Sequence, residues 1–373
     1  MNYIELNNQV IIRDENGKYQ LNKDKEALKS YLEDYIEPKM KKFDNLNDRL
    51  NYLVENDYYS KEILDLYDQY VIDVIYDFIR AKNFKFQSYM SASKFYQNYA
   101  LKSNDGEEIL ENYEDKVLIV ALTLGDGDSK LAKDIAGKLI NQEFQPATPT
   151  FLNAGRARAG KMVSCFLVNI EDSCEGISYG VSSANHLSKI GGGVALNLTR
   201  LRAAGESIKG IKGAAGGVMG VAKLLEQSFS YFNQMGARQG AGAVYLNVLH
   251  PDFETLLDSK KINADEKIRL TTLSIGAIIP DKFMELAEKN ENCYAFYPHS
   301  IYQKYGVHLD EIKMDEWYDK LAQDDEIEKK EINPRELLTR IAQTQQESGY
   351  PYVVFIDSAN QQHTLKDVGM IKM

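Results

Sequence analysis

The residues that could do chemistry are concentrated in one glycine-rich stretch. Twelve of the 25 glycines lie between Gly191 and Gly242, and a backbone without Cβ is needed where a chain turns tightly or approaches a ligand closely. Arg200, Arg202 and Lys209 are spaced among these glycines. Exposed N–H groups together with cationic side chains suit an anionic ligand. The same pattern is also typical of a flexible, solvated basic loop.

A second group of candidate residues surrounds Cys165. Thr148 and Thr150 precede it, and Ser164 is its neighbour in an apolar run. A cysteine among apolar residues on a strand is usually a small buried hydrophobic residue. Hydroxyl residues that reach the same strand end could instead hydrogen-bond a phosphate or a ribose. Both interpretations stay open at this point.

A third candidate is Arg238, the one arginine of a run rich in Gly and Ala that comes just before a predicted buried strand. This pattern indicates a loop whose arginine contacts another group. A plain loop that ends a helix is the alternative.

Two further glycine patterns come close to nucleotide-binding motifs without matching them. Residues 155–161 nearly fit G-x-x-x-x-G-K-[ST], but Met162 replaces the hydroxyl residue that holds magnesium, and a strand follows where a helix should begin. Residues 191–193 lack the G-x-G-x-x-G spacing and precede a strand instead of following one. A nicotinamide-linked dehydrogenase is therefore only a weak alternative.

Helical periodicity dominates the first part of the chain. Apolar residues recur at spacings of three and four and predict helices over residues 25–43, 46–59, 60–82, 91–102, 113–124 and 129–142. Asn45 and Asp128 stand where helix N-caps are expected. We therefore expect a helical region over residues 1–147.

Beyond this region short β-rich runs alternate with helical ones. Strands are predicted at 163–170, 194–198, 243–248, 270–279, 293–297 and 352–356, and helices near 175–190, 217–233, 251–260, 281–289 and 334–348. Such alternation predicts parallel strands with helical crossovers, in a sheet or a barrel. Residues 301–332 are polar and acidic and are interpreted as a surface insertion.

Composition narrows the class of protein. The length of 373 residues suits two domains, or one large α/β barrel-type domain with a satellite. The chain is 44% hydrophobic and 27% charged, as in packed proteins, and its net charge of −11 argues against a nucleic-acid partner held by phosphate contacts. The three cysteines form no C-x-x-C pair and no metal pattern, which fits a reducing compartment. No signal peptide is recognised, and no apolar run approaches the roughly 20 residues of a membrane span. The expected location is the cytoplasm, with no membrane contact.

Five motifs in order resemble the large, catalytic subunit of an aerobic ribonucleotide reductase, most closely class Ib. They occupy residues 145–155, 164–167, 188–193, 200–202 and 236–246, and the resemblance covers essentially the whole chain. It implies an α/β protein with an N-terminal helical domain (1–147), followed by the first half of a ten-stranded α/β barrel (148–373). The family reduces ribonucleoside diphosphates to deoxyribonucleoside diphosphates.

The resemblance also implies roles for single residues. Cys165 corresponds to the first cysteine of the redox pair that reduces the ribose. The substrate contacts would be Thr148, Ser164, Gly191 and Gly192. The allosteric effector, a deoxynucleoside triphosphate or ATP, would bind at a dimer interface to Asp172, Ser188, Arg202 and Lys209. Two loops would pass the effector's identity to the active site, namely residues 210–220 and the loop with Arg238 and Gln239. Class Ia relatives carry Arg at the position of Lys209, and a lysine lacks its forked grip on phosphate.

The remaining parts of the family's chemistry lie beyond these residues. A thiyl radical on a barrel cysteine and a carboxylate base belong to an Asn-x-Cys-x-Glu motif, expected just after Met373, and the second redox cysteine and the reducing tail are also absent. Cys174 and Cys293 match none of these positions and are interpreted as structural. The expectation is an N-terminal piece of a split, interrupted or truncated subunit, inactive alone.

The implied partners follow from this expectation. They are a nucleoside diphosphate, a radical-generating dimetal small subunit, the C-terminal half of the large subunit, a thioredoxin- or glutaredoxin-like reductant and a second copy of the chain, with no metal or cofactor bound directly. The alternative is a non-catalytic nucleotide-binding regulatory protein that keeps only the effector site.

Overall fold

A computed structural model describes residues 2–158, 161–189, 192–232 and 242–373. The chain divides into two compact units, one ending at Val163 and one beginning at Ser164. The division falls later than the predicted boundary after residue 147. The reason is that Phe151 and Ala154 are buried in the same apolar cluster as the preceding helices.

The first unit is helical. Its α-helices are α1 (Tyr3–Gln9), α2 (Asn22–Ser30), α3 (Leu46–Glu55), α4 (Lys61–Leu64), α5 (Gln69–Ala81), α6 (Tyr89–Lys94), α7 (Tyr113–Gly125), α8 (Ser129–Ile140) and α9 (Thr148–Asn153). Wider π-helical turns continue α2 over Tyr31–Ile36 and α6 over Phe95–Tyr99, and a short 3₁₀ turn covers Glu37–Lys39. The predicted helix 60–82 is two helices, because Asp68 takes an extended backbone conformation before α5 begins.

Helix α7 is the centre of this unit. Nearly all of its residues are buried, as expected for a helix that is apolar on every side. The Asn112 side chain accepts from the backbone N–H of Asp115, and the Asp115 carboxylate accepts from the backbone N–H of Asn112. This capping box satisfies the N-terminus of α7. The predicted caps are confirmed, because Asn45 accepts from the N–H of Asp48 and Asp128 from that of Leu131.

The second unit alternates strands and helices. Its strands are β1 (Cys165–Asn169), β2 (Gly193–Asn197), β3 (Gly242–Asn247), β4 (Ser274–Ile279), β5 (Cys293–Phe296), β6 (Lys329–Ile332) and β7 (Tyr352–Phe355). Its helices are α10 (Cys174–Lys189), α11 (Val218–Tyr231), α12 (Phe253–Asp258), α13 (Asp281–Lys289), α14 (Pro298–Tyr305), α15 (Met314–Gln323), α16 (Pro334–Ser348) and α17 (Ile356–Gln362). The predicted strands and helices are all present, with ends shifted by a few residues.

Five strands form a parallel sheet in the order β1-β2-β3-β4-β7. Alternate residues such as Leu196, Leu246 and Ala277 are buried in one apolar cluster that also contains Leu225 of α11. The helices therefore cover one face of the sheet. On the opposite face of β1, Leu167 is 62% exposed. Parallel sheets are normally covered on both faces, so this arrangement fits the predicted part of a barrel.

Residues 301–332 differ from the predicted surface insertion. Strand β6 pairs antiparallel with β5 in a separate two-stranded sheet, and Ile301, Leu321 and Ile327 are buried in the apolar cluster of the second unit. The segment is polar in composition because its helices are amphipathic, with charged residues on one side only. Among the residues that the structure describes, no helix combines the length and the apolar character that crossing a membrane requires.

Candidate functional site

Cys165 begins the edge strand β1 on the uncovered face of the sheet. Its thiol is free and exposed, and its Sγ lies 3.8 Å from the hydroxyl of Ser164. The strand register places Cys165 beside Gly193. The next row on this face contains Leu167, Ala195 and Ala243. The neighbours of the thiol on β2 and β3 are therefore small, and Leu167 on β1 is exposed.

Gly192 is required by packing. A Cβ at this position would overlap the ring of Phe166 and lie 2.9 Å from the carbonyl oxygen of Leu187. The N–H of Gly192 already donates to that carbonyl at 3.1 Å, and the N–H of Gly193 donates to the carbonyl of Ser164 at 2.6 Å. These bonds join the end of α10 to β1 and fix the backbone beside Cys165.

Thr148 belongs to the helical unit. It is the first residue of α9, and its Oγ1 lies 3.1 Å from the hydroxyl of Tyr99. The other end of α9 is held by Lys116, whose ammonium donates to the carbonyl of Leu152 at 3.2 Å. The Thr148 hydroxyl therefore stands at the exposed start of an element that is anchored at both ends.

A second candidate site is a cavity of about 240 Å³ in the second unit. Asp172 and Arg202 face each other in it, with the Asp172 carboxylate 3.0 Å from Arg202 Nε and accepting from the Arg202 backbone N–H at 3.2 Å. Nε is enclosed against this carboxylate and makes no aligned hydrogen bond with it. The guanidinium is partly exposed and lines the cavity, and the arginine fork suits an anionic ligand.

Arg200 lines the same cavity but is already saturated. Its Nε donates to both carboxylate oxygens of Asp310 at 3.0 Å, its Nη2 donates to Glu311 at 2.7 Å, and its Nη1 donates to Glu171. The pKa of Arg200 is raised by these carboxylates although burial opposes the shift. Arg200 therefore links Glu171, which precedes α10, to Asp310 and Glu311, which follow α14.

His299 and Glu206 complete this region. The ring Nδ1 of His299 lies 3.4 Å from Arg202 Nη2, and the backbone N–H of His299 donates to Glu206 at 3.1 Å. Burial, followed by the Arg202 cation, lowers the pKa of His299. Burial raises the pKa of Glu206 to about 7, against the effect of the N–H groups that donate to it.

Two of the predicted effector contacts do not line this cavity. Ser188 is fully buried, and its hydroxyl donates to the carbonyl of Phe232 at 3.2 Å.

Lys209 is exposed at the tip of a tight turn, where Ile208 and Ile211 form a bridge. Lys209 and Gly210 both have positive φ, 51° and 82°, which is unusual for lysine and typical of the two central residues of a tight hairpin turn. Gly191, Arg238 and Gln239 lie outside the described residues.

The sequence patterns missed most of the cavity. His299, Tyr302 and His308 line it. Tyr302 and His308 fall in the segment 301–332, for which the sequence predicts a surface insertion, and His299 lies just before that segment. The sequence offered one indication of this cavity, because Arg200 and Arg202 flank Leu201 within the glycine-rich stretch. The pattern could not separate the arginine that is saturated by carboxylates from the one that faces the cavity.

Comparison with known proteins covers the whole chain. Three family descriptions match successive segments: "Ribonucleotide reductase N-terminal" over residues 3–84, "Ribonucleotide reductase, all-alpha domain" over 85–159 and "Ribonucleotide reductase, barrel domain" over 163–373.

Curated relatives give the same result. The chain is 51% identical to a ribonucleoside-diphosphate reductase subunit alpha of Bacillus subtilis (strain 168), over 99% of this chain and 53% of the relative. It is 51% identical to the nrdEB subunit alpha of Bacillus phage SPbeta, over 100% of this chain and 34% of the relative. It is 44% identical to subunit alpha of Mycoplasma genitalium, over 98% and 50%. The chain spans about half the length, or less, of these relatives.

Proposed function

The chain belongs to the ribonucleotide reductase large-subunit family, and from this premise we propose that it supplies part of the active site that reduces ribonucleoside diphosphates. The observation that carries the proposal is the position of Cys165. It is an exposed free thiol beside a serine hydroxyl, on the uncovered face of a parallel sheet in the segment that matches the barrel domain.

In the proposed chemistry Cys165 supplies one of the two thiols that reduce the substrate. Replacing the 2′-hydroxyl of the ribose by hydrogen consumes two electrons and two protons, releases water and converts two thiols into a disulfide. Ser164 and Thr148 would hold the substrate through their hydroxyls, with Gly191 and Gly192 as backbone contacts. The second thiol, the radical cysteine and the carboxylate base would come from the half of the relatives' length that this chain does not span.

We further propose that the cavity with Asp172 and Arg202 binds the allosteric effector, a deoxynucleoside triphosphate or ATP. The support is the Arg202 guanidinium, which lines a cavity of about 240 Å³. Lys209 would contribute a second cation from its turn. Residues 210–220, Arg238 and Gln239 would pass the effector's identity to the substrate site.

The finer assignment is class Ib, which the similarity to the nrdEB-type subunit favours. With it we propose a dimetal small subunit as the radical source, a thioredoxin- or glutaredoxin-like reductant, a second copy of the chain and a cytoplasmic location. In this scheme the effector is the only small molecule besides the substrate that binds to these residues.

The test compares the chain alone with the chain mixed with a polypeptide equivalent to the remaining half of its relatives. With the small subunit and a dithiol present, we expect conversion of a nucleoside diphosphate only in the mixture. Stable turnover by the chain alone, or none in a mixture that forms a stable complex, would contradict the proposal.

One observation favours a second candidate, a regulatory nucleotide-binding protein. The cavity with Asp172 and Arg202 is formed by this chain's own residues, whereas only one of the required thiols is assigned here. Calorimetry with deoxynucleoside triphosphates separates the two, because a regulatory protein would bind the nucleotide equally well in mixtures that never turn over.

A further inference from the structure

Among the residues that the structure describes, His299 is the histidine whose ring nitrogen faces the arginine of the candidate effector cavity. Its Nδ1 lies 3.4 Å from Arg202 Nη2, and Arg202 also pairs with Asp172. A guanidinium has donors only, so Nδ1 faces it as an acceptor and the ring is neutral. In this structure Arg202 is thus shared between a carboxylate and a histidine.

We propose that His299 is an additional effector-binding residue, whose protonation from solvent is favoured when a nucleoside triphosphate binds and whose protonated ring then donates a hydrogen bond to the phosphate. The inference rests on the proposed effector function of this cavity. A triphosphate would draw the Arg202 guanidinium into a forked contact and release Nδ1. The freed nitrogen would then face several negative charges.

The charges around His299 support this direction of change. Asp172 and Glu328 favour the charged ring, and Arg202 together with burial disfavours it. Glu206 accepts from the backbone N–H of His299 and leaves the ring free. A polyphosphate adds opposite charge at hydrogen-bonding distance, and an opposite charge within about 4–6 Å favours the protonated form. Protonation would therefore be coupled to binding.

His308 lines the same cavity but is placed differently. Its ring stacks on Tyr302 with the centroids 4.5 Å apart, and its Nε2 lies 3.9 Å from Glu171. It already has an acidic neighbour and does not face Arg202. His308 is therefore a matched control, because its replacement removes an imidazole from the same cavity without removing the proposed phosphate contact.

The test is calorimetric titration with dTTP in two buffers of different ionisation enthalpy. We expect the wild-type protein to take up a fraction of a proton per site near pH 7.5 and H308Q to behave likewise, whereas H299Q takes up markedly less. Affinity of the wild type should fall more steeply with rising pH than that of H299Q, by at most about tenfold per pH unit. The ionisation of dTTP itself is common to all three proteins and cancels in the comparison.

The possible outcomes distinguish the role of His299 from the existence of the effector site. Equal proton uptake by H299Q and the wild type, or loss of uptake in H308Q instead, would overturn the role of His299 while leaving the effector site intact. Absence of dTTP binding to the wild type at every pH, in the chain alone and in the completed mixture, would overturn the effector site and the inference with it. H299N, which keeps a polar group near Nδ1, serves as the second variant if H299Q does not fold.

Discussion

At the scale of single residues, Arg200 and Arg202 show how neighbours in sequence acquire different functions. Arg200 is 8% exposed and donates to three carboxylates. Arg202 meets one carboxylate and a histidine in a cavity. A buried arginine without its carboxylates would be strongly destabilising, so Arg200 maintains the fold. Arg202 lines the cavity that we propose as the effector site.

Cys165→Ser tests the redox role. In the completed enzyme we expect the substitution to abolish multiple turnover and to leave nucleotide binding unchanged, because a hydroxyl cannot form a disulfide. The measurement is product formed per active site with excess dithiol. Cys174→Ser is the control, since Cys174 is also exposed and is expected to be structural. Normal turnover of Cys165→Ser would refute the assignment.

Glu206 gives a pH-dependent stability with a defined sign. Burial raises its pKa from 4.5 to about 7, so between these values the folded state binds more protons than the unfolded state. The free energy of unfolding should therefore fall as the pH rises from 4.5 to 7, by an amount on the order of 2 kcal/mol.

Glu206→Gln removes this titration and should flatten the profile. The single tryptophan, Trp317, lies against the core of the same unit, so its fluorescence during urea unfolding reports the relevant transition. An unchanged slope in the variant would show that other groups cause the pH dependence.

At the scale of elements, the loop between β2 and α11 is a fixed structure with an exposed tip. Asp252 accepts from the N–H groups of Ala204 and Val218 at 3.1 and 3.0 Å, which closes the base of the loop. The backbone N–H of Gly205 also donates to the carbonyl of Ala215 at 2.9 Å, which adds a second contact between the two ends of the loop. These bonds hold the two ends of the loop together.

Gly192→Ala tests the packing beside Cys165. A methyl group would overlap the Phe166 ring, and forced overpacking costs typically about 1–3 kcal/mol. We expect a lower midpoint of urea unfolding by Trp317 fluorescence. Gly216→Ala is the matched control, because nothing lies within 4 Å of a Cβ at Gly216. Equal stability of the two variants would show that Phe166 moves away at little cost.

The helical unit contains a buried charge network around Glu111. This carboxylate is fully buried and accepts from Tyr59 at 2.5 Å and from the N–H of Leu101 at 2.7 Å, with Arg156 at 3.4 Å and Lys116 at 3.9 Å. Burial lowers the pKa of Lys116 to about 8, although Glu111 opposes the shift. The two cations therefore depend on Glu111 for compensation.

Glu111→Gln should destabilise the helical unit by about 3 kcal/mol, because it leaves buried cations without a counter-charge. Glu108→Gln is the control, since the pair of Glu108 and Lys41 is partly exposed and such pairs contribute at most about 1 kcal/mol. Far-ultraviolet circular dichroism during urea unfolding measures both. Similar losses in the two variants would contradict the proposed role of the network.

At the scale of the whole molecule, helices cover one face of the parallel sheet, and part of the opposite face is exposed. Within the described residues β1 and β7 have a strand neighbour on one side each, and the apolar side chains of Leu167 and Tyr352 are 62% and 48% exposed. Unpaired edges and exposed apolar faces promote association. The remaining half of a barrel would cover both.

Thiol reactivity tests this expectation. Cys165 and Cys174 are exposed and Cys293 is buried, so an alkylating reagent should modify the first two quickly in the chain alone. When the completing polypeptide is added, modification of Cys165 should slow several-fold and that of Cys174 should not. Peptide mass spectrometry provides the rates. Parallel slowing of both thiols would indicate non-specific association instead.

Sequence reasoning was most successful for elements and least successful for the cavity. The periodicity predicted α7 and the strand–helix alternation, and it located the caps Asn45 and Asp128 correctly. The family resemblance implied Ser188 as an effector contact, whereas the structure buries this residue. It gave His299 no role, because nothing in the local pattern distinguishes this histidine from a surface one.

The sequence by itself determined which segments form helices and strands, where several helices begin, and to which family the motifs point. These properties depend on side chains a few positions apart, which the order of residues specifies directly. The tertiary structure alone decided that Arg200 is saturated, that His299 faces Arg202 across 97 positions, and that the segment 301–332 joins the core. Such contacts exist only after distant segments pack together, because burial and charge pairing depend on three-dimensional neighbours.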